Sequence, residues 1–136
     1  MKVKQFRYFS CDFETTVYNG QEDTEVWASA SVELFSNESP KIFHSIDEQF
    51  DYFKSLNTNI VAYYHNLKFD GAFWLSYLLV DLQMEQAYIK DEDSIQTYYW
   101  IDQKDMKNNT FKYSISDQGM WYTIIIKINN FQKIEN

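Results

Sequence analysis

Two acidic residues, Asp12 and Glu14, end the first apolar segment of the chain, in the run Ser-Cys-Asp-Phe-Glu-Thr-Thr over residues 10–16. A β-strand sends alternate side chains to opposite faces, so both carboxylates point one way and Phe13 points the other. Two like charges this close repel unless a cation lies between them, and Mg²⁺ and Mn²⁺ prefer oxygen ligands. The pair predicts a divalent-metal site, with a solvated strand end as the alternative.

A second polar segment, His-Asn-Leu-Lys-Phe-Asp-Gly-Ala-Phe, covers residues 65–73 and follows another short apolar strand. Asn66 and Asp70 are four residues apart, so they share one face if a helix begins here. The free N–H groups of a helix start favour anions, and Gly71 lets another backbone come close. The alternatives are a helix cap for Asn66 and an ordinary first-turn acid for Asp70.

The composition predicts one soluble domain, or part of one, over residues 1–136. Twelve basic and twenty acidic residues give a formal net charge of −8, which argues against simple duplex binding. An enzyme whose carboxylates hold metals that meet phosphate remains compatible with that charge. The single cysteine, Cys11, is interpreted as a small core residue, and no signal peptide or long apolar span is present.

Hydrophobic patterns predict an α/β layered domain with a mixed sheet and flanking helices. Ser45, with Glu48 three residues later, is a capping box that begins a helix ending near Asn57. A second helix is predicted over 69–79. Strands are predicted over 5–13, 25–35, 41–44, 59–64, 98–101, 110–115 and 121–128.

The segment that follows the strand at 121–128 is short, and residues 129–136 are predicted to form only a turn. The strand would then have an unpaired edge, which invites pairing with another chain. We therefore expect either a protein partner at this edge or a homodimer.

The two acidic segments resemble the first and second exonuclease motifs of the protein-primed family B DNA polymerases of small tailed phages. Their order and their separation of roughly fifty residues also match. Residues 119–122, Gly-Met-Trp-Tyr, are a weaker, permuted match to a third segment of that family. The resemblance implies an N-terminal 3′–5′ proofreading exonuclease with a ribonuclease-H-like fold, here lacking its C-terminal part, in the cytoplasm of an infected bacterium.

The resemblance also implies roles for individual residues. Asp12, Glu14 and Asp70 would be the catalytic acids that bind two Mg²⁺ or Mn²⁺ ions. The residues in contact with the single-stranded 3′ end of DNA would be Thr15, His65, Asn66 and Phe69. Two metal ions can activate a water and stabilise a leaving oxyanion, which is what phosphodiester hydrolysis requires. Tyr63, Tyr64 and Phe69 could stack on bases, with core packing as the alternative.

The family also uses a fourth acid in a Tyr-x-x-x-Asp segment on a later helix. Tyr113 and Asp117 have this spacing but lie on a strand-like segment. Three functions therefore remain open: an exonuclease module with impaired activity, a non-catalytic phage protein that inhibits a partner through its acidic surface and open strand, or a fragment that folds only within a polymerase.

Overall fold

A computed structural model describes residues 6–15, 26–65, 67–90, 98–115 and 122–136. These residues form a mixed α/β structure. The strands are β1 (Phe6–Thr15), β2 (Val26–Glu33), β3 (Lys41–Phe43), β4 (Asn59–Tyr64), β5 (Glu85–Gln86), β6 (Tyr88–Lys90), β7 (Tyr98–Trp100), β8 (Thr110–Ile115), β9 (Tyr122–Lys127) and β10 (Phe131–Glu135); the helices are α1 (Ile46–Ser55) and α2 (Leu67–Ser76).

Eight strands form one mixed sheet in the order β3-β2-β1-β4-β10-β9-β8-β5, and β6 pairs with β7 separately. The β1–β4, β4–β10 and β5–β8 pairs are parallel, and the other pairs in the large sheet are antiparallel. The α/β class and the mixed sheet predicted from the sequence are confirmed.

Alternation along β1 builds the core. Phe9, Cys11 and Phe13 are buried, whereas Ser10, Asp12 and Glu14 are exposed. The buried side chains join a cluster that includes Phe53 of α1 and Trp74 of α2, so both helices cover the same face of the sheet. Burial raises the pKa of the Cys11 thiol to about 12, which suits the predicted core residue and not a nucleophile.

The predicted capping box begins α1. The Ser45 hydroxyl accepts a hydrogen bond from the Glu48 N–H at 3.1 Å, and the Glu48 carboxylate accepts one from the His44 N–H at 2.8 Å. The return bond goes one residue earlier than in the usual box. The helix ends at Ser55, close to the predicted end, and Asn57 follows in a left-handed conformation with φ of 51°.

Ser45→Ala is expected to lower the free energy of unfolding by about 1 kcal/mol, or about 3 °C in Tm, because one N–H of the first turn loses its acceptor. Thermal unfolding followed by far-UV circular dichroism measures the change. Ser36→Ala is the control, because the Ser36 hydroxyl bonds only an exposed turn. Equal Tm values for the two variants would contradict the role of the cap.

The second helix differs from the prediction at both ends. It begins at Leu67, two residues early, and it continues as a π-helical segment over Tyr77–Asp81. Leu67 and Leu78 are both buried, so packing at each end extends the helical structure. Among the described residues, no helix has both the length and the apolar character needed to cross a membrane.

The predicted unpaired strand edge is wrong. Residues 131–135 form β10, which pairs with β9 on one side and with β4 on the other, and β9 also pairs with β8. Ile134 and Gln132 are buried on the core face of the sheet, so this short segment is held by packing as well as by its ladders. The outer strands of the described sheet are β3 and β5.

Candidate active site

The unequal lengths of β1 and β4 create the candidate site. Their parallel ladder ends at the Cys11–Tyr64 pair, whereas β1 continues to Thr15. The chain after β4 turns at residue 65 and enters α2. Asp70, in the first turn of α2, accepts a hydrogen bond from the Phe13 N–H. A strand N–H lies in the plane of the sheet, so Asp70 lies at the edge of β1 that β4 leaves free.

Asp12 and Glu14 flank that hydrogen bond on the exposed side of β1. Both side chains are exposed while Phe13 between them is buried, which confirms that the two acids point the same way. Their charges reach Asp70, because both raise its pKa. The structure therefore brings the three predicted acids, from two separate elements, to one end of β1.

Asp70 has the most perturbed environment of the three acids. Its side chain is 2% exposed, and Oδ2 is buried with no hydrogen-bond partner among the described residues. Burial, followed by the charges of Asp12 and Glu14, raises the pKa of Asp70 from 3.8 to about 6, against the opposing effect of the Phe13 N–H. A nearby cation would offset both the burial and the repulsion.

The three carboxylates are neighbours but do not form a closed metal cage. In the described ranges, no group of three or more His, Cys, Asp or Glu side chains is arranged to hold a metal ion. The oxygen donors fit Mg²⁺ or Mn²⁺ in type, and the unpartnered Asp70 Oδ2 is the atom that a cation would satisfy. Asp12 and Glu14 are exposed, so they can change rotamer towards it.

The predicted DNA-contacting residues are close to these acids in the fold. Thr15 is the last residue of β1 and is half-buried, and His65 is exposed in the turn after β4. Phe69 is 47% exposed and packs edge-to-face on Phe73, with ring centroids 5.3 Å apart. Asn66 lies outside the described residues.

One predicted stacking residue is a core residue, and one tryptophan that the sequence analysis does not single out is exposed. Tyr64 is fully buried against Phe13 and Trp74, so its alternative reading as a core residue is the right one. Trp27, in the predicted second strand, is 56% exposed, and the sequence analysis does not single it out. Trp27 lies between Ala28, which pairs with Glu14, and Val26, which pairs with Thr15.

Comparison with known proteins gives close matches over most of the chain. It is 35% identical over 120 residues, or 88% of its length, to the DNA polymerase of Bacillus phage Nf. The DNA polymerase of Bacillus phage phi29 is 34% identical over 126 residues, or 93% of the chain. Crystalline phi29 DNA polymerase matches 97% of the chain with a TM-score of 0.70 and 28% identity. The chain is homologous to the N-terminal region of the phi29-family DNA polymerases.

This phi29-family region is a small part of its relatives. The chain spans 17–18% of the length of the polymerases from phages Nf and phi29. A structure of phi29 DNA polymerase complexed with single-stranded DNA also matches, with a TM-score of 0.66 over 97% of the chain and 21% of the polymerase. No protein-family model matches the chain. The mixed α/β architecture of the chain therefore matches a part of phi29 DNA polymerase that makes up 20–21% of that polymerase.

Proposed function

We propose that this phi29-family domain is a metal-dependent 3′–5′ exonuclease associated with a DNA polymerase. The observation that carries the proposal is the meeting of Asp12, Glu14 and Asp70 at the end of β1, with Asp70 Oδ2 buried and unpartnered. Carboxylates brought together from different elements can hold the metal ions of a phosphodiester-cleaving site. Buried carboxylates with raised pKa values are common at functional sites, and the burial of Asp70 beside two other acids supports the proposal.

Asp12, Glu14 and Asp70 would hold Mg²⁺ or Mn²⁺. When bound, the metal would supply an activated water and a counter-charge for the leaving oxygen. Phe13 fixes Asp70 through its N–H, and the buried Phe13 side chain anchors that part of β1 in the core. The second metal position is the weaker one in this proposal, because the resemblance assigns it a fourth acid from a later Tyr-x-x-x-Asp segment.

The substrate we propose is the single-stranded 3′ end of DNA. Relatives in solved structures are complexed with primer-template DNA and with single-stranded DNA. In this chain Thr15 and Phe69 adjoin Glu14 and Asp70, and His65 lies in the turn between β4 and α2. We propose that these three residues contact the terminal nucleotides together with Asn66. Phe69 is exposed enough to stack on a base.

We infer a ribonuclease-H-like fold and function beside the remainder of a polymerase in the cytoplasm of the infected host. We also infer that residues 1–136 by themselves have reduced activity, because the resemblance places a further acid in a Tyr-x-x-x-Asp segment on a later helix. Adding the remainder of a phi29-family polymerase in trans is therefore expected to raise activity. The alternative function, inhibition of a partner protein, has less support. It depended on an unpaired edge of β9, and that edge is paired with β10.

The test is trimming of a 5′-labelled single-stranded oligonucleotide in the presence of Mn²⁺. We expect shortening from the 3′ end, and we expect Asp12→Ala to reduce the rate at least tenfold because a metal ligand is lost. Asp105→Ala is the matched control, since Asp105 is an exposed acid in the turn before β8.

Three outcomes are informative. Trimming that is lost in Asp12→Ala and kept in Asp105→Ala supports the proposal. Equal trimming by both variants points to a contaminating nuclease and contradicts it. No trimming at micromolar enzyme, together with tight capture of a purified host protein, would replace it with the non-catalytic function.

A further inference from the structure

β2 contains a β-bulge at Trp27, opposite the end of β1. Glu14 pairs with Ala28, and the next residue, Thr15, pairs with Val26. Trp27 is therefore the extra residue of β2, with no counterpart on β1. Bulges bend a strand and redirect a side chain, and they are common beside active sites.

Simple alternation along β2 would place Trp27 on the helix-covered face of the sheet. Ser29, two residues further along the strand, is buried on that face and its hydroxyl hydrogen-bonds to Gln49 of α1. The bulge interrupts the alternation, and the Trp27 indole is 56% exposed. The result is a broad aromatic surface one residue from the Glu14 and Thr15 pairings.

Trp27 and Phe69 lie on different sides of the end of β1. β2 pairs with one edge of β1, and β4 with α2 follows on the other edge. Phe69 connects to Phe13 through Phe73, by edge-to-face contacts with centroids 5.3 and 6.5 Å apart. Exposed aromatic rings therefore border the acid cluster from two directions.

The acidic net charge of the chain increases the importance of base stacking for binding a DNA strand. With twenty acidic and twelve basic residues, the protein cannot draw a DNA strand in by phosphate attraction alone. Base stacking on an aromatic ring does not depend on phosphate charge and contributes about 1–3 kcal/mol per base. Stacking is thus the interaction that an acidic domain can use to hold a single strand.

We propose that Trp27 is a DNA-positioning residue that stacks on an unpaired base near the 3′ end. This inference rests on the proposed exonuclease function and adds a contact on the β2 side of the acids. The bulge sets the position of the ring, and the ring holds the strand so that its terminal phosphodiester faces Asp12 and Glu14.

The experiment compares Trp27→Leu with Trp27→Phe. Leucine keeps an apolar side chain in the bulge but removes the ring, and phenylalanine restores a ring. Binding of a fluorescein-labelled eight-nucleotide oligo-dT is followed by anisotropy in Ca²⁺. We expect Trp27→Leu to weaken Kd about 5- to 100-fold, the size of one lost stack, and Trp27→Phe to recover most of it.

Phe35→Leu is the matched control, because Phe35 is 94% exposed in the turn after β2. We expect its Kd to stay within about twofold of the wild type, since it removes an exposed ring away from the acids. A second series uses oligonucleotides with one abasic position. The wild type should lose affinity at the stacked position, and Trp27→Leu should show no further loss there.

The outcomes separate this inference from the function beneath it. If Trp27→Leu binds like Phe35→Leu while the wild type trims DNA, Trp27 has no positioning role and the exonuclease proposal stands. If the wild type neither binds nor trims single-stranded DNA, both fail. An equal abasic effect in wild type and Trp27→Leu would also overturn the inference, because a structural role does not depend on one base.

Discussion

Asp70→Asn is expected to stabilise the folded protein more at pH 7.5 than at pH 4.5. Burial and the charges of Asp12 and Glu14 raise the pKa of Asp70 from 3.8 to about 6 in the folded state. The folded protein therefore binds this proton more tightly than the unfolded chain does. The contribution of Asp70 to stability is fully present below its unfolded pKa and is lost as the pH rises through about 6.

The size of this effect follows from the pKa change. A rise in pKa of about two corresponds to a free-energy cost of about 3 kcal/mol for ionising Asp70 in the folded state. Solvent screens part of the repulsion, because Asp12 and Glu14 are exposed. Asparagine keeps an acceptor for the Phe13 N–H and removes the charge. We expect its effect on the free energy of unfolding to be about 2 kcal/mol more favourable at pH 7.5 than at pH 4.5.

Urea unfolding of wild type, Asp70→Asn and Asp105→Asn at both pH values measures this difference. Arg7 lowers the pKa of Glu33, whose contribution is lost as the pH falls, but it is common to all three proteins and cancels. Added Mn²⁺ should raise the Tm of the wild type at pH 7.5 and leave Asp70→Asn unchanged. The same effect of Asp70→Asn at both pH values would mean that Asp70 is not destabilised by ionisation.

Trp74→Ala is expected to lower the free energy of unfolding by about 3–5 kcal/mol, because it leaves a large cavity in the core. The Trp74 side chain is fully buried. Its ring contacts those of Phe13, Phe50, Tyr64 and Tyr77, with centroids 6.0–6.4 Å apart. A domain of this size is stable by only about 5–15 kcal/mol, so the loss is a large fraction of the total.

The loss should extend to the site, because Trp74 and Asp70 share the buried side of α2 and Phe13 contacts both. Urea unfolding gives the stability, and trimming at 15 °C gives the activity of the folded fraction. Trp27→Leu is the control, as an exposed tryptophan should change stability by less than about 0.5 kcal/mol. A Trp74→Ala protein as stable as this control would contradict the packing described for the core.

The sequence predicts the local features of the fold well. The strand at 59–64 is found where it was predicted, and Ser45 with Glu48 begins α1 as expected. These features depend on alternation and on a cap, which adjacent residues determine. The shared direction of Asp12 and Glu14 also follows from strand alternation alone.

Features that depend on distant contacts were missed. β10 is short and mixes Gln132, Lys133 and Glu135 with two apolar residues, so its pattern is weak, and its parallel partner lies far back in the chain. The burial of Asp70 could not be predicted either, because it depends on where the β1–β4 ladder ends. The exposure of Trp27 is not predictable from local alternation, because a bulge interrupts the register between β1 and β2 at this residue.

The position of β10 means that β4 can be fully paired only late in the synthesis of the chain. β4 is held between β1 and β10, and the bond from the Phe131 N–H to the Asn59 side chain joins residues 72 apart. A ribosome adds roughly 5–20 residues per second. Several seconds therefore pass between the synthesis of Ile60, Val61 and Ala62 and the synthesis of β10, the second strand that pairs with them. During that time one hydrogen-bonding edge of this apolar strand is unpaired in the nascent chain. A chaperone or another nascent chain can bind the strand at that edge.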